Sequence, residues 1–177
     1  MAFADPKKHI EQFTLSRGQV VADFGAGAGY LAVEAAEQVG SEGKVYVIDI
    51  QQDLLTKVKH LAQEHHLKVL QYVHGDLERS RGSTLPDACV DAVIVSNLLF
   101  QVEDKRAVLA EAVRILKSGG RVLLIDWSGS FGGMGPIAEH VFSEDAARAL
   151  ADAVGLTIET NIDAGSYHYG LTFVKHG

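Results

Sequence analysis

A glycine-rich turn follows the first strongly apolar segment of the chain. Gly25, Gly27 and Gly29 occupy alternate positions directly after Val20–Phe24. Glycine allows a tight turn and lets a ligand approach the backbone without interference from a Cβ atom. A helix that opens at the third glycine presents its free N–H groups to a negatively charged or polar group. The pattern predicts a nucleotide-like ligand, with a plain strand-to-helix turn as the alternative.

The spacing of the glycines in this turn indicates which class of nucleotide-like ligand it binds. The dinucleotide fingerprint G-x-G-x-x-G needs its third glycine where this chain has Tyr30. No Gly-Lys-Ser or Gly-Lys-Thr follows, so the triphosphate-binding pattern fails as well. Asp23, two residues before the first glycine, would repel a pyrophosphate but attract a ligand that carries an amino group. A nicotinamide-dependent oxidoreductase is therefore disfavoured.

Acidic residues also follow the next two apolar runs. Asp49 ends the second run, where a carboxylate can accept hydrogen bonds from both hydroxyls of a ribose. The same residue could cap the helix predicted to follow it. Asp76 and Leu77 come after Gly75 and the third run, where an adenine can meet a carboxylate and a backbone N–H. A simple turn explains that stretch equally well.

Regular alternation of strand and helix signals positions these residues. Runs rich in Val, Ile and Leu predict strands, and apolar residues at helical spacing predict the helices between them. The predicted strands are 20–24, 44–49, 69–73, 90–95, 121–126, 156–162 and 169–175, and the predicted helices are 5–13, 28–39, 51–65, 104–117 and 143–154. Buried parallel strands covered by helices on both faces indicate a doubly wound α/β fold.

The connection between the last two predicted strands is the short segment Asp163–Tyr167. It is too short for a helical crossover, so the last strand should run antiparallel to its neighbour. We therefore expect a mostly parallel seven-stranded sheet with an antiparallel last strand. Residues 1–177 should form a single domain, with residues 1–17 as a short N-terminal helical extension.

Composition narrows the class of partner. The 177 residues carry a formal net charge of −7, which is unfavourable for binding a nucleic-acid backbone. The single cysteine, Cys89, excludes an internal disulfide. His65 and His66 lack a suitably spaced further ligand, so no metal is expected, and His9 is expected at the surface. No signal-peptide pattern and no membrane-length apolar segment are found, which predicts a cytoplasmic protein without a membrane partner.

Taken in order, these motifs resemble class I S-adenosylmethionine-dependent methyltransferases over nearly the whole chain. The resemblance rests on D-x-G-x-G-x-G at Asp23–Gly29, the acidic strand end at Asp49, G-D at Gly75-Asp76, V-D-x-V from Val90 to Phe100, and L-K-x-G-G-R-V at Leu116–Val122. Those methyltransferases have a seven-stranded sheet whose last strand is antiparallel, in agreement with the short connection described above. The resemblance implies S-adenosylmethionine as the cofactor.

The resemblance also implies a role for each matching position. Asp23 would bind near the amino group, Asp49 would hold the ribose diol, and Asp76 would accept the adenine amino group. The implied cofactor-binding residues lie around the methionine part (Asp23, Gly25, Ala26, Gly27, Gly29, Tyr30), the ribose and adenine (Asp49, Ile50, Gly75, Asp76, Leu77) and the methyl sulfonium (Ser96, Asn97).

The acceptor is less constrained, because methyl transfer from a sulfonium needs alignment and exclusion of water more than one residue type. A glycine-rich stretch after the fifth strand, residues 126–140, suggests a lid. The candidate catalytic residues are His140, Tyr167 and Asp126. The segment Glu111–Trp127 resembles the small-molecule branch that includes quinone-biosynthesis C-methyltransferases. We expect a small-molecule acceptor, with a non-catalytic S-adenosylmethionine-binding protein as the alternative.

Overall fold

The computed structural model describes residues 5–177, so the first four residues of the predicted N-terminal extension lie outside the described part. The helices are α1 (Pro6–Phe13), α2 (Tyr30–Val39), α3 (Gln52–Glu64), α4 (Lys105–Ile115) and α5 (Glu144–Ala153). The strands are β1 (Val20–Phe24), β2 (Lys44–Asp49), β3 (Leu70–His74), β4 (Val90–Ser96), β5 (Leu116–Trp127), β6 (Leu156–Ile162) and β7 (His168–Lys175). A short 3-10 helix, Ala138–His140, lies between β5 and α5 in the chain.

The strands described within residues 5–177 form one seven-stranded sheet in the order β3-β2-β1-β4-β5-β7-β6. β1 pairs in parallel with both β2 and β4, whereas β7 runs antiparallel to both β5 and β6. The predicted sheet, mostly parallel with an antiparallel last strand, is confirmed. Because the strand order reverses beside β1, a crevice opens there at the carboxyl ends of the strands, where α/β sheets bind ligands.

Helices cover both faces of this sheet. Successive side chains of β4 point to opposite faces, so Val93 joins one apolar cluster while Ile94 joins the other. The first cluster includes residues of α4 and α5, and the second includes residues of α1, α2 and α3. Ile10 and Phe13 are fully buried in the second cluster. Their burial attaches the N-terminal helix firmly to the sheet.

The N-cap residues of α1, α2 and α5 account for where these helices begin. Asp5 and Ser143 are the N-caps of α1 and α5, and each accepts a hydrogen bond at 3.2 Å from the backbone N–H three residues later. The start of α2 differs from the prediction, since the helix begins at Tyr30 instead of Ala28. Gly29 is the N-cap and has a φ of +83°, a left-handed conformation that cannot continue a right-handed helix.

The passage from α4 into β5 also departs from the prediction. The sequence predicts a helix as far as Lys117 and a strand from Arg121, but β5 already begins at Leu116. Leu116 has extended backbone angles, is fully buried and pairs with Val90. The register then shifts before the next pairing, so residues 117–120 bulge from the strand. Gly119 and Gly120, which follow the predicted helix, therefore lie inside a strand irregularity.

A buried ion-pair network holds the β3–β4 connection, residues 75–89, against α4. Glu111 is buried and accepts hydrogen bonds from the Ser83 hydroxyl at 2.5 Å and the Ser83 N–H at 2.9 Å. Arg114 donates to both carboxylate oxygens of Glu111, at 2.7 and 2.8 Å, and to the Leu85 carbonyl oxygen at 2.9 Å. Burial raises the pKa of Glu111, but the hydrogen bonds from Arg114 and Ser83 together hold this pKa below its usual value. The network fixes the connection that carries the predicted adenine-side residues.

We expect Glu111→Ala to lower the free energy of unfolding by about 3 kcal/mol, because Arg114 and Ser83 lose their buried partner. Urea denaturation of the variant and the wild type measures this change. Glu64→Ala, at an exposed position of α3, is the control and should change the free energy of unfolding by less than about 0.5 kcal/mol. Equally small changes in both variants would contradict the anchoring role.

Candidate functional site

Two adjoining cavities lie at the carboxyl ends of β1, β2, β3 and β4. The first, of about 270 Å³, is lined largely by residues that follow β2 and β3. The second, of about 320 Å³, is lined largely by the loop after β1 and by the end of β4. Gly25, Gly27 and Gln101 line both cavities, so the two spaces meet there. Every residue of the predicted cofactor-binding set lines one or both of them.

The carboxylate of Asp23 is buried in the wall of the second cavity. The residue is 2% exposed, and its Oδ2 atom has no hydrogen-bond partner within residues 5–177. Burial, together with the charge of nearby Asp49, raises the pKa of Asp23 to about 7. Because an unpartnered polar atom is costly to bury, this oxygen suits a ligand group that is cationic or donates a hydrogen bond.

The loop from Gly25 to Gly29 offers its backbone to the cavities. Gly27 has a φ of +50°, and a Cβ atom built on it would meet only the Gly25 carbonyl oxygen, at 3.9 Å. The space beside Gly27 is therefore open cavity. α2 begins directly after the loop, and the N–H groups of its first turn lack acceptors within the helix. The loop and the helix start together suit a polar or negatively charged ligand group.

Asp49 ends β2 and lines the first cavity. Its Oδ1 atom accepts the backbone N–H of Gln51 at 2.8 Å. Gln51 itself is the N-cap of α3, so the interpretation of Asp49 as the cap of that helix is wrong. Ile50 lines the same cavity and is 59% exposed. A carboxylate beside an exposed apolar side chain suits a ligand with a hydroxylated part and a flat apolar part.

The turn after β3 forms another wall of the first cavity. Asp76 accepts the backbone N–H of Glu78 at 3.1 Å and pairs with the exposed Arg79 side chain at 3.2 Å. The Glu78 carboxylate reaches the start of α4, where it accepts the N–H groups of Glu103 and Asp104 at 2.9 and 2.6 Å. The stretch is thus a turn held by its own hydrogen bonds that also lines the cavity. The interpretation as a simple turn and the interpretation as a wall for an adenine are therefore compatible.

Polar groups follow β4 at the second cavity. Asn97 has a φ of +51° and donates its N–H to the Ile125 carbonyl oxygen at 2.8 Å. Its buried Oδ1 atom has no hydrogen-bond partner in the described part of the chain. Gln101 donates its side-chain amide to the Asn97 carbonyl oxygen at 2.6 Å and lines both cavities with its own surface. Gln101 is not among the site residues predicted from the sequence, and its only signal there is its four-residue spacing from Asn97 at a strand end.

A family model described as a methyltransferase domain matches residues 15–168. This match covers most of the chain, including every strand end that lines the two cavities. The chain belongs to this methyltransferase family. The expected resemblance to S-adenosylmethionine-dependent methyltransferases of class I is therefore confirmed, and S-adenosylmethionine is the cofactor of the family.

Curated relatives match over almost the same region of this methyltransferase. The ubiquinone/menaquinone biosynthesis C-methyltransferase of Francisella philomiragia is 32% identical over 164 residues. The protein of the same name from Marinomonas sp. is 32% identical over 165 residues. Each alignment covers 92% of this chain and 62% of the relative. The chain thus spans less than two thirds of the length of these relatives.

Solved structures share the fold of the methyltransferase. A SAM dependent methyltransferase from Aquifex aeolicus superposes with a TM-score of 0.87 at 26% identity, over 97% of this chain and 90% of that chain. The [4+2]-cyclase SpnF superposes with a TM-score of 0.81 at 16% identity, over 97% of this chain and 80% of that chain. The second similarity shows the fold alone, and it shows that this fold also occurs in a protein named for other chemistry.

Two of the predicted catalytic residues of the methyltransferase lie outside the residues that line the two cavities. His140 is exposed at the end of the 3-10 helix. Tyr167 is half-buried, and its ring packs edge-on against Phe131 with ring centres 4.9 Å apart. Phe131 also lies near Trp127, with ring centres 6.5 Å apart. These aromatic side chains pack the stretch 126–140 against the ends of β5 and β7. No residue of that stretch lines either cavity, so its role as a lid stays a prediction, as do the catalytic roles of His140 and Tyr167.

The third catalytic candidate, Asp126, is buried near the end of β5. Its carboxylate accepts the backbone N–H groups of Phe100 at 3.2 Å and Trp127 at 2.8 Å. Burial raises the pKa of Asp126 to about 6. In this position the carboxylate holds the turn after β4, which carries the cavity residues Leu98 and Gln101. A catalytic role for Asp126 also stays a prediction.

Part of the site was missed because it comes from α1. Pro6 and His9 line the second cavity, and His9 is buried, so the expectation of a surface position for His9 is wrong. The available signal was its four-residue spacing from Phe13, which places both residues on one helix face.

Within residues 5–177, the site included, no group of three or more His, Cys, Asp or Glu side chains could hold a metal ion. None of the helices in that range is both long and apolar enough to cross a membrane.

We expect Asp23→Asn to stabilise the ligand-free chain at alkaline pH. The pKa of Asp23 in the folded state is about 7 instead of the ordinary 3.8. The wild-type residue therefore contributes stability at a pH below 3.8, and this contribution is lost as the pH rises through about 7. Asparagine does not ionise, so at a pH of about 8 the variant should gain roughly 1–3 kcal/mol in free energy of unfolding. Urea denaturation at acidic and alkaline pH measures the gain. A variant that is less stable at both pH values would contradict the burial of an unpaired carboxylate.

We expect Gly27→Ala to weaken the binding of S-adenosylhomocysteine by more than about tenfold, because the new methyl group enters the open cavity. The left-handed backbone should cost only about 1–2 kcal/mol of folding stability. Gly119→Ala is the control, since Gly119 has a φ of +74° with nothing within 4 Å of a built Cβ. Calorimetry and thermal unfolding separate the two effects, and equal affinities of the two variants would contradict a ligand beside Gly27.

Proposed function

We propose that this chain transfers a methyl group from S-adenosylmethionine to a small-molecule acceptor. The observation that carries the proposal is the pair of carboxylates at adjacent strand ends, in which Asp23 has an unpartnered buried oxygen and Asp49 lines the neighbouring cavity. S-adenosylmethionine carries an amino group at one end and a ribose diol nearer the other, so it supplies hydrogen-bond donors for both carboxylates. Membership of the methyltransferase family supports the proposal.

The residues of the two cavities fit this cofactor along its length. Asp23 would accept the amino group, and the open backbone at Gly27 with the start of α2 would hold the carboxylate of the methionine part. Asp49 would accept the ribose hydroxyls. Ile50 would pack against the adenine ring, with Asp76 near its amino group. The cofactor would therefore extend from the second cavity into the first.

Bound S-adenosylmethionine supplies a methyl group already activated on a sulfonium, so the chain's own groups have to orient the acceptor and exclude water. Asn97 suits the first task, because its unpartnered Oδ1 atom can accept a hydrogen bond from the acceptor. Gln101 holds the Asn97 backbone and lies where the cavities meet. Trp127 and Phe131, which lie near each other in the stretch 126–140, line neither cavity and would exclude water from the site only after that stretch closes over it.

We further propose a hydroxylated aromatic ring of quinone type as the acceptor to test first. The proposal is supported by the curated relatives at 32% identity, which are named ubiquinone/menaquinone biosynthesis C-methyltransferases. The net charge of −7 supports an acceptor other than nucleic acid. A cytoplasmic location and the absence of a membrane partner complete the proposal and rest on the sequence patterns alone.

We expect Asp49→Ala to weaken binding of S-adenosylhomocysteine by roughly 1.5–3 kcal/mol, the scale of lost charge-assisted hydrogen bonds. Isothermal titration calorimetry measures the affinity. Asp53→Ala is the matched control, because Asp53 is an exposed carboxylate in the first turn of α3 and does not line either cavity. Unchanged affinity in Asp49→Ala, or tight binding of NADH by the wild type, would count against the proposed cofactor site.

A methyl-transfer screen tests the reaction itself. Wild-type protein with labelled S-adenosylmethionine is offered quinols, phenols, amines and thiols, and labelled product is measured. Transfer to at least one class supports the proposed function, and transfer to a quinol supports the proposed acceptor class. Binding of S-adenosylhomocysteine without transfer to any class would favour a cofactor-binding protein without catalysis.

A further inference from the structure

The N-terminal helix places a buried histidine at the second cavity. His9 is 2% exposed and lines that cavity together with Asp23, Asn97 and the glycine loop. Ile10 and Phe13, on the same helix, are fully buried in the core. Packing of α1 therefore fixes the imidazole ring in the cavity wall.

The backbone of Ala164 faces this ring and raises the pKa of His9, as a carbonyl oxygen that accepts the ring N–H does. This contact favours one tautomer of the ring. A neutral imidazole has one N–H donor and one basic nitrogen. Because the Ala164 carbonyl takes the N–H, the second nitrogen carries the lone pair. It is the only basic atom that this ring can offer to the cavity.

Charged groups from three elements surround the ring. Burial lowers the pKa of His9, the carboxylates of Asp5 and Asp163 raise it, and the ammonium of Lys8 lowers it. On β7, burial and then His9 itself lower the pKa of His168, whose Nε2 atom is buried without a hydrogen-bond partner in the described part of the chain. The net effect keeps His9 neutral, and hence basic, at neutral pH.

The charge of the cavities determines the state in which an acceptor enters. Asp23, Asp49, Asp76 and Glu78 line them, and no Lys or Arg is present among the lining residues that the structure describes. An anionic acceptor would be repelled by these carboxylates. The lining therefore favours an acceptor that enters with its nucleophilic hydroxyl protonated. Such a hydroxyl must lose its proton as the methyl group is transferred.

We propose that His9 is a catalytic residue, the general base that removes the proton from a hydroxyl group of an aromatic or enolic acceptor. The proposal rests on the proposed methyl transfer. The acceptor O–H bond breaks and its proton moves to the lone-pair nitrogen of His9. The acceptor oxygen, or a ring carbon conjugated with it, forms a bond to the methyl carbon, while the broken carbon–sulfur bond leaves its electron pair on sulfur. His9 then returns the proton to water.

Methylation at carbon adds one further proton transfer. The methylated ring carbon loses its hydrogen as a proton when the ring regains aromaticity, and the oxygen takes up a proton to restore the hydroxyl. The other bonds that form and break are the same as in methylation at oxygen. His9 fits this role better than His140, because His140 is exposed and does not line either cavity.

The experiment compares His9→Gln with the wild type and with His60→Gln, a control at an exposed position of α3. Glutamine can still donate to the Ala164 carbonyl but cannot take up a proton. We expect S-adenosylhomocysteine affinity to stay within about threefold, measured by calorimetry. With dihydroxynaphthalene or catechol as acceptor, kcat should fall about 100-fold, and the loss of activity toward acidic pH should disappear. His60→Gln should match the wild type in both measurements.

A second measurement does not depend on turnover. Nitrogen NMR of the wild type bound to S-adenosylhomocysteine should show His9 as a single neutral tautomer at neutral pH, with a titration midpoint below the ordinary 6.5. A midpoint above about 7 would overturn the inference. So would an affinity loss of more than about tenfold in His9→Gln with unchanged kcat, which would make His9 a cofactor-binding residue.

The remaining outcomes separate this inference from the proposed function. An active wild type, together with an active His9→Gln variant that keeps the same pH profile, would overturn the inference alone. A wild type that binds S-adenosylhomocysteine but methylates none of the acceptors would overturn the proposed function and this inference with it. Partial recovery of kcat in His9→Ala on addition of imidazole would support the base role.

Discussion

Parallel pairing of β1 with both of its neighbours is the constraint on which the site depends. β1 lies between β2 and β4. Asp23 of β1 is in register with Val47 of β2, two residues before Asp49. The carboxylates of Asp23 and Asp49 therefore reach the same crevice, and the turn after β4 brings Asn97 beside them. No single element carries the site. It exists because three strand ends meet where the strand order reverses.

This convergence has an energetic cost that the ligand-free protein bears. Asp23 is buried near the carboxylate of Asp49, and its Oδ2 atom has no hydrogen-bond partner in the described part of the chain. Burying such a group without a partner lowers the stability of the folded state. Asn97 adds a left-handed backbone and a second unpartnered oxygen. Two of the buried polar atoms without a hydrogen-bond partner in the described part of the chain, on Asp23 and Asn97, therefore belong to residues that line the second cavity. The arrangement is understandable if a ligand rich in hydrogen-bond donors completes it.

The sheet and its strand ends account for the cofactor better than for the acceptor. The same fold occurs in a SAM dependent methyltransferase and in the [4+2]-cyclase SpnF, so the architecture alone does not determine the reaction. In this chain α1 contributes Pro6 and His9 to the wall of the second cavity. The predicted lid, residues 126–140, packs beside the sheet through Trp127 and Phe131 and lines neither cavity. Acceptor selection is thus expected to reside in these peripheral segments.

Local patterns were enough to predict the alternation of strands and helices, the antiparallel last strand and the glycine turn with its acidic neighbours. These features depend on residues close together in the chain, whose periodicity and turn chemistry are visible in the sequence. The start of β5 at Leu116 was not predictable in this way, because pairing with Val90 ends the predicted helix early. The spacing of His9 and Phe13 indicates a shared helix face, but only tertiary structure placed His9 in a cavity wall and Asp126 against the Phe100 N–H. Each depends on backbone groups supplied by distant segments, and no periodicity within one segment reports which distant segment packs against it.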